Sequence, residues 1–253
     1  MKKIKLFALL PLLFTPLTMT GCNSSSDVKT IGICQFVAHP ALDAATEGFK
    51  AAVEEGLGKG KVKFDVQEAA ADAATCVTIA NSFVNKNVDL IMANATPALQ
   101  ACANSTLTIP ILGTSVTEYG VALSIKDFDG TVGGNVSGTS DLAPLDGQAN
   151  MVTELFPEAK KVGLLFCSAE ANSIYQIDTV EGFLKEKGLS TEKISFADSN
   201  ELQSVLSGKV SNLDVLYVPT DNVCADNVSV IDAICRPIKL PVICGEENLC
   251  KGC

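Results

Sequence analysis

Short apolar runs alternate with amphipathic stretches along the chain from Thr30 onward. Val, Ile, Leu and Phe recur in the first four runs, which predict strands buried on both faces. These predicted strands span 30–37, 62–67, 88–92 and 109–112. Between them, hydrophobic residues recur at helical spacing and predict helices at 40–55, 73–85 and 96–103. Such an alternation is typical of a parallel sheet covered on both sides.

The alternation stops at 113–142 and then resumes. The interruption is rich in Gly, Ser, Thr and Asp and predicts an irregular crossover without a long helix. The second series of elements has predicted helices at 144–156, 172–187, 200–206 and 223–234, with predicted strands at 161–167, 190–195, 213–218 and 241–244. Two such units predict an α/β fold with two Rossmann-like lobes and parallel sheets, the first lobe with the crossover at 30–142 and the second at 143–253.

The beginning of the chain has a different pattern. Three lysines among the first five residues precede an apolar run at 6–19, which ends just before Cys22. This run is too short to cross a bilayer, so segment 1–21 predicts a secretory signal peptide. The small residue before Cys22 favours a lipoprotein in which Cys22 is acylated, and the alternative is a secreted protein in which Cys22 is incidental. Residues 22–29 then form a lipidated tether that holds an extracytoplasmic protein on the cell membrane.

Charge excludes nucleic acid as a partner. The chain carries 19 basic and 29 acidic residues, and removal of the signal peptide takes away three of the basic ones. Phosphate binding requires clustered Lys and Arg, which this acidic chain lacks. After the signal peptide, no run approaches the length needed to span a membrane, so the lipid is the expected membrane anchor.

Ten cysteines in an exported chain would ordinarily indicate disulfides. Most of them, however, close predicted strands or lie in predicted helices, where cysteine acts as a small hydrophobe. With Cys22 acylated, nine remain, and an odd number cannot all pair. We therefore expect mostly free thiols. Cys244, Cys250 and Cys253 suggest a zinc site as an alternative, but no histidine is near them, so no metal is expected.

Candidate binding residues lie in the loops after the predicted strands, because ligands of open parallel sheets bind beyond the carboxyl ends of the strands. These loops supply hydroxyl, amide and carboxylate groups, and the helices behind them offer N–H groups to a carboxylate. An alternative role for any one of these residues is capping of the following helix. The candidate ligand-binding residues are Phe36, His39, Asn94, Thr96, Thr114, Ser115, Asp141, Glu170, Asn172, Ser173, Thr220, Asp221 and Glu246.

Residues for catalysis are few. His39 is the only histidine, and the chain contains neither a nucleophile elbow nor a phosphate-binding loop. The glycines at 130–134 lie outside the strand-to-helix turn that a dinucleotide-binding motif requires. Glu170 and Asp221 could act as paired carboxylates, but no other feature supports catalysis. The sequence therefore favours a binding protein without a cofactor over an enzyme.

Seven short segments, taken together, resemble one known family. They span 31–43, 95–97, 111–116, 138–141, 168–173, 219–222 and 245–246. In these segments the chain resembles the substrate-binding lipoproteins of bacterial ABC transporters, in the group associated with tryptophan, tyrosine and related amino acids. The resemblance implies a type I periplasmic-binding fold, in which two lobes close on a small-molecule ligand. It also implies delivery of that ligand to the transmembrane subunits of an ABC permease.

The resemblance implies roles for several candidate residues. Asp141 or Asp221 would hold the ammonium group of an amino acid, and Phe36 and His39 would stack on an aromatic side chain. The carboxylate would be held by helix N–H groups and by Thr96, Thr114 and Ser173.

Similar proteins continue past the motif at 245–246, so the resemblance also implies that the C-terminal part of the fold is missing and that the second lobe is incomplete. Two other functions stay open at this point. One is a ligand-sensing lipoprotein that presents its solute to a receptor. The other is a truncated fragment without function.

Overall fold

The structure is a computed structural model that describes residues 28–253. The predicted signal peptide, the predicted lipidation at Cys22 and most of the tether lie outside the described residues. No helix in the described range is long and apolar enough to cross a membrane.

The first sheet has five parallel strands in the order β2-β1-β3-β4-β5. Its elements in chain order are β1 (Lys29–Gln35), α1 (Pro40–Leu57), β2 (Val62–Glu68), α2 (Ala73–Lys86), β3 (Leu90–Asn94), α3 (Thr96–Ser105), β4 (Ile111–Val116), α4 (Tyr119–Ala122) and β5 (Val136–Ser140). β1 and β3 lie in the middle, and their almost continuous burial explains why both are apolar runs rather than alternating ones.

The second sheet has four parallel strands in the order β7-β6-β8-β9. Its elements are α5 (Leu145–Leu155), β6 (Lys161–Cys167), α6 (Ala171–Glu186), β7 (Ser190–Phe196), α7 (Ser199–Ser207), β8 (Val215–Val218), α8 (Asn222–Asp226), α9 (Val228–Cys235), β9 (Val242–Cys244) and α10 (Glu247–Gly252). Two α/β units with parallel sheets confirm the predicted fold class.

Three details differ from the prediction. The crossover contains β5, which pairs with β4 at the edge of the first sheet. Four of its five residues are exposed, so it lacks the apolar run of a buried strand. The helix predicted at 223–234 is two helices, because the backbone leaves helical geometry at Asn227, with φ −114° and ψ 24°. The third difference is α10, which the sequence analysis did not predict.

The cysteines lie where their apolar neighbours predicted. Cys34 and Cys167 are buried in strands, and Cys76, Cys102, Cys224 and Cys235 are buried in helices. All nine cysteines of residues 28–253 are free thiols in the structure. Six of them therefore contribute to the cores that flank the two sheets.

Candidate ligand-binding site

The loops at the carboxyl ends of the two sheets face each other across a cavity of about 90 Å³. Residues of the first lobe that line it are His39, Ala41, Leu42, Ser115, Thr117 and Asp141. Those of the second lobe are Asn172, Thr220, Asp221, Asn222, Ala225 and Glu246. The wall thus combines three carboxylates with amide, hydroxyl and imidazole groups, and no Lys or Arg is among these lining residues.

Seven of the predicted binding residues line this cavity, namely His39, Ser115, Asp141, Asn172, Thr220, Asp221 and Glu246. The other six do not line it, namely Phe36, Asn94, Thr96, Thr114, Glu170 and Ser173. Phe36 is buried in an apolar core cluster, so its contacts are those of a packing residue. The Asn94 amide donates to Leu42 O at 2.8 Å and to Thr46 Oγ1 at 3.0 Å, which holds α1 against β3.

The strand ends of the first lobe have unusual backbone geometry beside the cavity. Ala95 follows β3 with φ 88°, and Ser115 lies near the end of β4 with φ 53°. Such values are costly for residues other than glycine and are concentrated at ligand sites. Thr114 joins the two turns, because its carbonyl accepts the Ala95 N–H at 3.0 Å. The geometry supports these turns as part of a binding site.

His39 reaches across the cleft. Its Nε2 lies 3.3 Å from Asn222 Oδ1, so the first lobe touches the second through this pair. Asn222 in turn donates its Nδ2 hydrogen to Glu170 Oε2 at 2.5 Å. A chain of polar contacts therefore connects the loop after β1 with the loops after β6 and β8.

Glu170 lies beneath the cavity wall and is fully buried. Its carboxyl group also accepts from Val223 N at 3.0 Å and from Asn172 Nδ2 at 3.2 Å. Burial and the nearby charge of Asp221 raise the pKa of Glu170 to about 8. These contacts place Glu170 behind Asn172 and Asn222, which line the cavity while Glu170 does not.

Asp221 lines the cavity, but both of its carboxylate oxygens already have internal partners. Oδ1 accepts from Cys224 N at 2.8 Å, which caps α8, and Oδ2 accepts from Cys167 N at 2.7 Å. Glu246 similarly caps α10 by accepting from Asn248 N at 2.8 Å and from Leu249 N. The capping role that the sequence left open thus applies to both residues.

Asp141 differs from these two carboxylates. It follows β5 and keeps access to water, yet surrounding protein raises the pKa of its carboxyl group, an effect that a hydrogen bond with the Thr117 side chain opposes. It caps no helix in the structure. Of the two aspartates considered for an ammonium group, the geometry therefore favours Asp141.

Four buried side-chain polar atoms of the described residues have no hydrogen-bonding partner, namely His39 Nδ1, Asn94 Oδ1, Thr96 Oγ1 and Asn172 Oδ1. His39 and Asn172 line the cavity, and Thr96 lies in the first turn of α3. Because buried polar atoms nearly always have a partner, the free atoms of His39 and Asn172 are available to a polar ligand between the lobes.

Five lining residues were not among the predicted ones, namely Ala41, Leu42, Thr117, Asn222 and Ala225. Thr117 follows β4 two residues after the candidate Ser115, and Asn222 begins α8 directly after the candidate Asp221, so their positions alone could have included them. Ala41, Leu42 and Ala225 lie in the helices α1 and α8 and carry no polar side-chain group. No signal in the sequence distinguishes them from core residues.

A larger groove, of about 740 Å³, lies near the amino ends of β6, β8 and β9. Ligands of parallel sheets bind at the opposite, carboxyl ends, so the smaller cavity is the better candidate. Within residues 28–253, no group of three or more His, Cys, Asp or Glu side chains could hold a metal ion.

Two α/β lobes with a polar cavity between them define a two-lobed ligand-binding protein. The model of the family described as ABC transporter substrate binding protein matches residues 30–253, and the chain therefore belongs to this family. Its fold is that of the type I periplasmic binding proteins.

Relatives with known ligands are similar to this chain. A tyrosine-binding protein of Clostridioides difficile (strain R20291) is 39% identical over 228 residues, which are 89% of this chain and 66% of that protein. The chain thus spans a little under two thirds of that relative. A Streptococcus pneumoniae ABC domain, solved in complex with L-Trp, is 30% identical with a TM-score of 0.83 and covers 88% of this chain and 76% of its own.

A ligand-free relative helps to define the arrangement of the lobes. The open structure of a Clostridium difficile substrate-binding protein with adhesive properties is 37% identical, and the match covers 88% of this chain and 76% of that one. Its TM-score is only 0.59, lower than that of the less identical Trp complex. In the present structure the two lobes contact each other across the cleft through His39 and Asn222.

Proposed function

We propose that this protein is an extracytoplasmic, lipid-anchored solute-binding protein that delivers an aromatic amino acid to an ABC permease. The observation that carries the ligand part of the proposal is the closed polar cavity between two lobes arranged as in the Trp complex. The anchor rests on the sequence around Cys22. The two lobes of this proposal comprise residues 30–142 and 143–253.

The cavity wall supports a zwitterionic ligand. Asp141 has a carboxylate that is free of capping contacts, so it suits the ammonium group. The N-terminal turn of α6, at Asn172, brings backbone N–H groups and the positive end of a helix dipole to the cleft and suits the carboxylate. No Lys or Arg is among the lining residues, so helix N-termini, that of α6 and that of α1 at Ala41 and Leu42, supply the positive end groups of the cavity wall.

The cavity as it stands is smaller than typical small-molecule pockets, which have about 300 Å³ or more. An aromatic amino acid therefore requires the lobes to separate before it enters and to close less tightly around it. A hinge motion of this kind shifts a population that exists before binding.

A thermal-shift screen of the purified protein against the amino acids tests the proposal. A ligand that binds only the folded state stabilises it by about 2.7 kcal/mol at a hundredfold excess over Kd. We expect tyrosine or tryptophan to raise the Tm and acidic amino acids to leave it unchanged. A cooperative transition that no amino acid shifts would contradict the proposed ligand class, and recovery of an altered ligand would indicate an enzyme.

A further inference from the structure

Two of the unpartnered buried atoms belong to the cavity wall, one from each lobe. His39 is 7% exposed and Asn172 is 4% exposed, and both residues line the cavity. His39 Nδ1 and Asn172 Oδ1 have no hydrogen-bonding partner. A buried polar atom without a partner is unfavourable. The chemistry of these two atoms therefore indicates which group of a ligand would satisfy them.

The contacts of Asn172 determine the orientation of its side-chain amide. Its Nδ2 donates to Thr220 O at 3.2 Å, to Glu170 Oε2 at 3.2 Å and to Ser173 Oγ at 3.3 Å. A backbone carbonyl only accepts hydrogen bonds, so the opposite orientation would place the amide oxygen against Thr220 O. The free end of the Asn172 amide is therefore its oxygen, which is an acceptor and requires a donor.

The contacts of His39 assign a similar role to its free nitrogen. Asn222 donates its Nδ2 hydrogen to Glu170 Oε2, and its Oδ1 lies 3.3 Å from His39 Nε2. An amide oxygen only accepts, so the hydrogen of this contact belongs to Nε2. In a neutral imidazole with Nε2 protonated, Nδ1 carries a lone pair and no hydrogen. His39 Nδ1 is thus a second buried acceptor without a donor.

A ligand group that satisfies these atoms must supply donors, which excludes a carboxylate. Asp141 adds a third acceptor, its carboxylate, to the same cavity wall. The cavity of about 90 Å³ has room for about three water molecules, so a small group inside it has all of its wall close by. A primary ammonium group has three N–H donors and matches the three acceptors in number, whereas a hydroxyl group has one donor.

We propose that His39 Nδ1, Asn172 Oδ1 and the Asp141 carboxylate together form a subsite for the primary ammonium group of the ligand. This inference rests on the proposed function and narrows its ligand class to amino acids with an unsubstituted amino group. His39 and Asp141 belong to the first lobe and Asn172 to the second, so the bound nitrogen bridges the lobes. The carboxylate of the ligand is attached to the neighbouring carbon and remains for the helix N–H groups.

Methylation of the ligand nitrogen tests the subsite on the original protein. N-methyltyrosine keeps the positive charge of tyrosine but has one N–H donor fewer, so one buried acceptor loses its partner. Isothermal titration calorimetry should show roughly ten- to hundredfold weaker binding than that of tyrosine. N,N-dimethyltyrosine leaves a further acceptor without a partner and should bind more weakly again.

Asn172→Leu tests the contribution of the second lobe. This substitution replaces the amide oxygen by an apolar group of similar size, against which a methyl group can pack. Tyrosine should bind the variant more weakly than it binds the original protein. The ratio of the Kd of N-methyltyrosine to that of tyrosine should fall towards one, a change that loss of structural support alone would not produce.

Gln176→Leu is the matched control, because Gln176 supports the same loop without lining the cavity. It is buried one turn further along α6, donates to Thr220 O at 3.0 Å and accepts from Thr220 N at 3.1 Å. A disturbance of this loop weakens both ligands alike. Gln176→Leu should therefore keep the ratio of the original protein.

The outcomes separate the subsite from the proposed function. If neither tyrosine nor tryptophan binds the original protein, the proposed function is wrong, and the subsite is wrong with it. If tyrosine binds and N-methyltyrosine binds equally well, the function stands and the subsite is overturned. A ratio that Asn172→Leu leaves unchanged, or that Gln176→Leu lowers equally, would overturn the contact between Asn172 and the ammonium group.

Discussion

The three carboxylates of the cavity wall differ in how many of their oxygen atoms remain available. Asp221 and Glu246 use theirs to cap helices, and the oxygens of Asp221 also connect α8 to β6. Asp141 caps no helix, although the surrounding protein disfavours its charge. A carboxyl group that caps no helix and whose charge the surrounding protein disfavours, in a cleft, is typical of a functional residue.

We expect Asp141→Asn to weaken amino acid binding strongly. Loss of the partner of a buried charge costs about 2–5 kcal/mol, or roughly thirty- to several-thousand-fold in Kd. Isothermal titration calorimetry with tyrosine measures this effect. Because the pKa of Asp141 is raised, binding to the original protein should weaken as the pH falls through a range above that of an ordinary aspartate, and the variant should lack this dependence.

Asp146→Asn is the matched control for that experiment, because Asp146 is an exposed residue of the first turn of α5 and does not line the cavity. Its Kd should equal that of the original protein. Equal affinities for both variants would remove Asp141 from the site. Asp221→Ala is less informative, since it also leaves the backbone N–H groups of Cys167 and Cys224 without their partner.

Glu170 gives a prediction about stability and pH. Burial and Asp221 raise its pKa to about 8, whereas the pKa of a glutamate in an unfolded chain is about 4.3. The folded state therefore holds the proton over this interval, and its stabilising contribution falls as the pH rises, by up to about 1.4 kcal/mol per pH unit. Glu170→Gln should flatten the fall in unfolding free energy between about pH 5 and 8.

Urea unfolding of both proteins at several pH values measures this difference. Only the difference in slope is informative, because every other titrating group contributes to both proteins. Parallel pH profiles would show that Glu170 is ionised in the folded state.

The positions of the site residues could be predicted from the sequence better than their roles could. His39, Asp141 and Asn172 follow strand ends, and parallel topology alone brings such loops together. The direction of each side chain depends on packing that the sequence does not display. Phe36 follows β1 directly, yet it turns into the core, and Glu170 bonds to neighbouring loops instead of facing the cleft.

At the scale of elements, β5 depends on a close approach to β4. A Cβ atom at Gly138 would overlap Gly113 O and Tyr119 Oη, and would lie 2.8 Å from Gly113 N. Backbone atoms cannot move aside as a flexible side chain can. Gly138→Ala should therefore lower the free energy of unfolding by about 1–3 kcal/mol, as measured by urea denaturation.

A glycine in open surroundings should respond in the opposite direction. Gly182 lies within α6 and has no neighbouring atom near the position that a Cβ would occupy. Gly182→Ala should raise the free energy of unfolding by about 0.5–1 kcal/mol, because alanine loses less backbone entropy in a helix. A loss of stability in this variant would show that substitution of any glycine is harmful, and Gly138 would then carry no special meaning.

The sequence predicted best those elements in which burial produces a regular pattern of apolar residues. Strands such as β1 and β6 are apolar on both faces, and helices such as α2 show a regular buried side. The sequence pattern did not predict β5, because it is an exposed edge strand that is defined by its pairing with β4 and not by burial. The sequence pattern also did not predict the break at Asn227 between α8 and α9. Apolar residues continue on both sides of it, and only the backbone angles reveal it.

At the scale of the whole molecule, His39 provides a polar contact between the two lobes, beside the packing of α3 and α4 against α6. Its contact with Asn222 crosses the cleft at 3.3 Å, while Asn222 keeps a separate bond to Glu170 within the second lobe. His39→Ala should remove this one polar contact between the lobes and leave each lobe intact. Since a neutral hydrogen bond contributes about 0.5–1.5 kcal/mol, the closed population without ligand should fall by roughly two- to twelvefold.

Small-angle X-ray scattering tests this prediction with an internal control. Without ligand, the radius of gyration of His39→Ala should exceed that of the original protein, because open lobes extend the molecule. With saturating tyrosine, both proteins should reach the same smaller radius, since the ligand binds the closed form better and selects it. The variant should require more tyrosine, because affinity falls with the fraction of competent protein. Identical radii without ligand would show that closure is governed by other contacts between the lobes.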